Sequence, residues 1–147
     1  MRRQPIQVLV ILFRKTNKAY EFGIFKRSDA NYCQFIAGGA EGSESVQQAA
    51  SREAFEEAGI SLNSELIAFD SRCCVPADIF KDWKNWPAGT YVVHEFAFAV
   101  EVLSKEMKLS GEHLEFKWCR HDESQNILKW DSNKTALWAL SQRFKKE

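Results

Sequence analysis

The sequence predicts an α+β or α/β/α domain, a mixed sheet with one helix in the middle of the chain and one at its end. Three observations carry this. Short apolar runs separated by polar turns recur through most of the 147 residues. One helical segment with start and stop signals lies near the middle. A second stretch with helical spacing ends the chain, so strands and helices share one layered core.

Taken in order, Ile6 to Arg14 and Tyr20 to Arg27 flank the polar cluster Lys15-Thr16-Asn17-Lys18 and read as a β-hairpin. Ser28 to Tyr32 is a polar loop. Cys33 to Ala37 is a short strand leading into a turn at Gly38-Gly39. The middle helix starts at a capping box formed by Ser45 and Gln48 and stops at Gly59, which suits the left-handed residue that closes many helices. Leu62 to Arg72 reads as a strand with a polar start, followed by Cys73-Cys74-Val75-Pro76. Ala77 to Thr90 is irregular and carries Trp83 and Trp86 beside proline and glycine. Loop aromatics of this sort fold onto a core edge, or else form a stacking or lid surface beside a site. Tyr91 to Leu103 is a long strand, Ser104 to Gly111 a polar connection, and Leu114 to Cys119 a further strand. Asp131 or Ser132 caps a last helix whose Ala136, Leu137, Leu140 and Phe144 form its core stripe.

Composition bounds the function. The chain is 45% hydrophobic and 27% charged, the balance of one water-soluble domain over residues 1–147. A formal net charge of zero shows no footprint for duplex nucleic acid and leaves room for a small anionic ligand neutralised by metal. Cys33, Cys73, Cys74 and Cys119 have no metal-knuckle spacing, which points to free thiols in a reducing cytoplasm and away from zinc. Met1-Arg2-Arg3 and the apolar run after it resemble a secretory leader. The run contains Gln7, meets Arg14-Lys15 and lacks a small-residue cleavage site, so a strand is the better reading. No stretch is long enough to span a bilayer.

The middle helix carries the chemistry. At 100° per residue, Val46, Ala49 and Ala50 share one stripe with Glu53 and Glu57. Two carboxylates one turn apart therefore point where a core-facing helix is apolar. Burying them is costly and they repel, unless a cation sits between them. An acidic solvated face is the plain alternative. Against it stand the alanine stripe, Arg52 as an orienting partner, and the glycines just before the helix. Glu56 lies off the stripe and reaches a second ion or a bridging water; Glu41 and Glu44 are lesser candidates.

Gly38, five residues, Glu44, seven residues, Arg52-Glu53, Phe55, Glu56-Glu57, Ala58, Gly59 and Ile60 together resemble the Nudix box, G-x5-E-x7-R-E-U-x-E-E-x-G-U, where U is bulky and apolar. Ala54 departs from it, standing where Leu, Ile or Val is usual. The opening RRQPIQVLVIL, CQFIAGG, GEHLEFKW at 111–118 and WDSNKTAL at 130–137 are similar to the dihydroneopterin triphosphate pyrophosphatase branch, also called dATP pyrophosphohydrolase. The resemblance implies a mixed-sheet Nudix sandwich. It implies Mg2+, with Mn2+ as an alternative, held by Glu53, Glu56, Glu57 and Glu112, with Arg52 positioning a carboxylate. It also implies substrate contacts from Arg3, Lys26, Ala37, Asp78, Ile79 and Phe80. Lys26 stands where that branch has Arg, and KWDSNK differs from its K-S-W-S-N-R.

The implied reaction is hydrolysis of a nucleoside or pterin triphosphate between the α and β phosphates, in a cytoplasmic monomer or homodimer that engages neither nucleic acid nor membrane. Two other readings stand beside it. One is hydrolysis of another diphosphate derivative, such as a nucleotide sugar or dinucleoside polyphosphate. The other is a nucleotide-binding module without turnover, which would be expected to lose box carboxylates that this chain keeps.

Overall fold

The computed structural model describes residues 2–27, 29–103, 107–109 and 113–146. It contains seven strands: β1 (Arg3–Lys15), β2 (Tyr20–Arg27), β3 (Cys33–Gln34), β4 (Ile36–Glu41), β5 (Ile67–Pro76), β6 (Val92–Glu101) and β7 (His113–Cys119). Three helices join them: α1 (Val46–Ala58), α2 (His121–Ile127) and α3 (Asp131–Lys146). Two short 3-10 turns, Ala77–Ile79 and Lys81–Asn85, occupy the irregular stretch.

Strand β1 is central. It pairs in parallel with β6 from Ile6↔His94 to Phe13↔Glu101, and antiparallel with both β2 and β4. The main path runs β3-β2-β1-β6-β5, with β4 joined to β1 and β7 to β2. Alternation along β1 divides the core into two layers. Val8, Val10 and Leu12 pack with Ala49, Ala50, Ala54 and Ala58 of α1. Leu9, Ile11 and Phe13 pack with Ala136, Leu137 and Leu140 of α3. The sandwich is thus α/β/α, and small alanines bring α1 close to the sheet.

The hairpin closes through Thr16, whose amide donates to Ala19 O at 2.8 Å. Ser45 caps α1 with its hydroxyl while the Gln48 side chain returns to the Ser45 amide, and Gly59 takes φ 69°. Three features differ from the sequence reading. First, Gly38-Gly39 is not a turn: both residues lie in β4, opposite Val8 and Gln7 of β1, and the chain turns instead at Gly42, φ 57°. Second, the strand at Cys33 breaks at Phe35, because the Phe35 amide donates to buried Asn133 Oδ1 at 2.9 Å rather than to a neighbouring strand. Third, α2 follows β7. Its seven residues bury only Ser124, so it has no apolar stripe for periodicity to detect. Boundaries also shift: β1 begins at Arg3 rather than Ile6, β5 runs from Ile67 to Pro76 rather than from Leu62 to Arg72, and α3 already includes Asp131, with Trp130 O accepting the Asn133 and Lys134 amides. No helix among the described residues is long and apolar enough to cross a membrane.

The two loop tryptophans separate. Trp86 is buried with Ala77 and Val93, against which Val75 and Phe80 pack, and its Nε1 donates to Arg3 O at 2.7 Å. Trp83 is 42% exposed.

Candidate active site

Strand β4 and helix α1 build the site between them. The antiparallel course of β4 along β1 sets Gly38 directly over α1. A Cβ at Gly38 would fall 2.2 Å from the Glu53 carboxyl carbon, so only glycine leaves room for that side chain. Glu53 is 8% and Glu57 9% exposed, on the same buried stripe as the alanines. The helical phase read from the sequence therefore holds.

Arg52 ties the carboxylates together. Its Nε and Nη2 grip Glu44 at 2.8 and 3.0 Å, Nη2 also donates to Gly39 O at 2.8 Å, and Nη1 reaches Glu53 at 3.0 Å and Glu56 at 3.3 Å. Glu44 in turn accepts the Glu41 amide at 2.8 Å. This fork holds Arg52 protonated more firmly than usual, chiefly through the Glu44 hydrogen bonds, and the same bonds lower the Glu44 carboxyl. Glu44 is thus a clamp on Arg52. Glu53 behaves oppositely: burial pushes its carboxyl up to about 7, against the pull of Arg52 and with help from Glu56 and Glu57. A carboxylate desolvated this far lacks sufficient positive charge around it.

Glu53, Glu56 and Glu57 line a cavity of about 260 Å³, together with Gly38, Gly39 and Glu41. Arg3, Arg27, Gln34 and Ala37 line the rest. Arg3 is desolvated by burial, which lowers its guanidinium against the pull of Asp82, Glu53 and Glu41. A larger cavity of about 770 Å³, near Tyr20, Trp138 and Phe144, holds one carboxylate, Asp122, and lies among α2 and α3 residues. Size alone does not mark the chemistry here.

Of the residues expected to form the site, Arg52, Glu53, Glu56, Glu57, Arg3 and Ala37 converge on one place. Phe80 joins them through Arg3, whose guanidinium carbon stands 4.6 Å from its ring centre. Asp78 and Ile79 are exposed and, like Lys26, are not among the residues lining the cavity. Lys26 and Arg27 point to opposite faces of β2, and it is Arg27 that lines the cavity, its guanidinium paired with Asp29 at 3.0 and 3.2 Å. Phe25 packs in the α1 layer, and strand alternation from it could have singled out Arg27. Glu112 lies outside the described residues. Gln34 carries no signal that separates it from an ordinary polar position, whereas Glu44, a lesser candidate from the sequence and a fixed position of the box pattern, is the partner that clamps Arg52.

Among the described residues no three acidic, histidine or cysteine side chains already converge closely enough to hold an ion. The donor set nonetheless fits a hard divalent cation: it is all carboxylate oxygen, lines a cavity, and includes Glu53, whose burial Arg52 only partly offsets. Glu53 and Glu57 would hold the ion from the buried stripe, and Glu56 from the rim. Such an ion supplies charge neutralisation and Lewis acidity at phosphate oxygens. This chain's part is to fix Glu53 through Arg52, keep Gly38 out of its way, and present cationic side chains to the same cavity.

A mixed-sheet sandwich with a carboxylate-bearing helix clamped by an arginine against a glycine strand suits metal-assisted chemistry at phosphate oxygens. The chain belongs to the Nudix family: residues 3–139 match the NUDIX domain. A Listeria monocytogenes structure described as a Nudix hydrolase is 40% identical, with a TM-score of 0.88, covering 97% of this chain and 96% of that one. The dihydroneopterin triphosphate diphosphatase of Escherichia coli K12 is 26% identical over 137 residues, 92% of this chain and 91% of the relative. The fold likeness extends to the solved Escherichia coli dihydroneopterin triphosphate pyrophosphohydrolase, TM-score 0.76 at 23% identity, covering 96% and 99%.

Proposed function

We propose that this chain is a Mg2+-dependent pyrophosphohydrolase that cleaves a nucleoside or pterin triphosphate, of the dihydroneopterin triphosphate or dATP kind, into a monophosphate and pyrophosphate. One observation carries the reading. Glu53, Glu56 and Glu57 line the same cavity as Arg3 and Arg27, so it accepts an anion bridged to a cation. The similarity to the Escherichia coli dihydroneopterin triphosphate diphosphatase over nearly the whole chain supports the substrate class.

In this reading Glu53, Glu56, Glu57 and Glu112 hold the metal and Arg52 orients Glu53. Arg3 takes a phosphate oxygen, and Ala37 and Phe80 border the base. The substrate is a small molecule of the cytoplasm, and the enzyme acts as a monomer or homodimer. The test is pyrophosphate release from dATP and dihydroneopterin triphosphate with Mg2+, set beside GTP and ADP-ribose, with phosphorus NMR reading the bond cleaved. Release of pyrophosphate, abolished in Glu57→Gln, is expected. A folded protein inert to every triphosphate refutes the proposal.

A further inference from the structure

Arg3 is the cation of the cavity that makes no ion pair among the described residues, and an unusual number of contacts immobilise it. Its Nη2 donates to Gln7 Oε1 at 3.0 Å, and Gln7 Nε2 donates to Glu95 Oε2 at 2.7 Å. Gln7 and Glu95 are register partners on the parallel strands β1 and β6, and Glu95 is only 5% exposed. In a regular strand residues 3 and 7 would stand about 13 Å apart. The β1–β4 register shifts between them, Arg3 facing Glu41 and Gln7 facing Gly39, and the Arg3 guanidinium lies within hydrogen-bond reach of Gln7.

The rest of Arg3 is equally constrained. Phe80 covers the guanidinium, Trp86 Nε1 holds the Arg3 carbonyl, and a Cβ on Gly39 would fall 2.2 Å from Nε. That close packing leaves Nε buried with no acceptor among the described residues. An arginine kept in place with an unsatisfied buried donor is retained for something other than packing. Among the described residues Glu95 hydrogen-bonds only Gln7, and a buried carboxyl group with one neutral partner is costly enough to need a reason.

We infer that Glu95 and Gln7 form a positioning relay that fixes Arg3 as a rigid phosphate grip in the same cavity as the carboxylates. Glu95 fixes which way the Gln7 amide points, since only its Nε2 can donate to a carboxylate. Gln7 therefore presents Oε1 to Arg3, and Arg3 keeps its remaining donors for an anion. The relay rests on the proposed hydrolysis of an anionic triphosphate. It adds two residues that are not among those lining the cavity.

Steady-state kinetics on dATP with saturating Mg2+ test it. Gln7→Leu is expected to raise KM roughly tenfold with kcat within about twofold, the mark of lost uniform binding. Arg3→Leu raises KM at least as far, and the double variant goes no further than Arg3→Leu alone. Glu95→Gln, whose carbonyl can still accept from Gln7 but whose amide no longer dictates the Gln7 orientation, raises KM by less than Glu95→Leu, which matches Gln7→Leu. If Gln7→Leu does not fold, the Glu95 pair decides. Unchanged KM in Gln7→Leu or Glu95→Leu, or additive effects in the double variant, overturns the relay. If the wild type cleaves no triphosphate, the proposed function fails by itself. Calorimetric binding of inorganic tripolyphosphate with Mg2+, through the same set of variants, then decides the relay on the same criteria.

Discussion

Replacing Glu53 with glutamine should stabilise the metal-free protein at alkaline pH while destroying its activity. The Glu53 carboxyl, ordinarily near 4.5, is pushed up to about 7 by burial. The fold therefore binds this proton more tightly than the unfolded chain does. Stability from this group is complete below about 4.5, falls as pH rises through the window up to about 7, and is lost above it. At about 1.4 kcal/mol per pH unit, ionised Glu53 costs the metal-free fold roughly 3 kcal/mol at pH 8. Glutamine resembles the protonated acid, and its oxygen still accepts from Arg52. For a chain of this length that corresponds to a rise in Tm of up to about 6–12 °C at pH 8, and almost none at pH 4.5. Thermal unfolding in a chelating buffer from pH 4.5 to 8 measures it. Adding Mg2+ at pH 8 should raise the wild-type Tm and leave Glu53→Gln nearly unchanged, because metal binding requires the carboxylate. A glutamine variant less stable than wild type at pH 8, or a wild-type Tm with no downward trend between pH 5 and 7 relative to that variant, would refute the reasoning.

Two further outcomes follow from the clamp. Gly38→Ala forces the Glu53 carboxylate aside, since the new Cβ would fall 2.2 Å from it, so hydrolysis should drop at least tenfold. The backbone at Gly38 does not take positive φ, so the fold should persist by circular dichroism. Arg52→Lys replaces a fork that grips both oxygens of Glu44 and the Gly39 carbonyl with a single ammonium, which should lower unfolding free energy by about 1–3 kcal/mol in urea titrations. The same variant should reduce kcat more than it raises KM, because Arg52 holds Glu53 rather than the substrate.

Much of this protein was legible as pattern. The position of Glu53 and Glu57 on the alanine stripe follows from helical phase, which depends on spacing alone, and the Ser45–Gln48 cap and Gly59 stop are equally local. Alternating strand residues and the Ala136–Leu137–Leu140 stripe announced two layers around a sheet for the same reason. Local signals failed where the partner is distant. Glycines at 38 and 39 read as a turn because no neighbour in sequence reveals that one faces Glu53 across the layer and the other faces Arg3 across a strand pair. The Cys33 strand broke because Asn133, 98 residues away, takes the Phe35 amide.

The sequence by itself determined the family and the placing of Glu53, Glu56 and Glu57 on one helix, since both are properties of residue spacing along one continuous segment. Only the tertiary structure decided what faces that helix. Parallel pairing of β1 with β6 brought Gln7 to Glu95, the shifted β1–β4 register brought Arg3 within reach of Gln7, and strand alternation chose Arg27 over Lys26. These are consequences of strand order and register, which bring together residues such as Gln7 and Glu95, 88 positions apart, and leave no mark in local sequence.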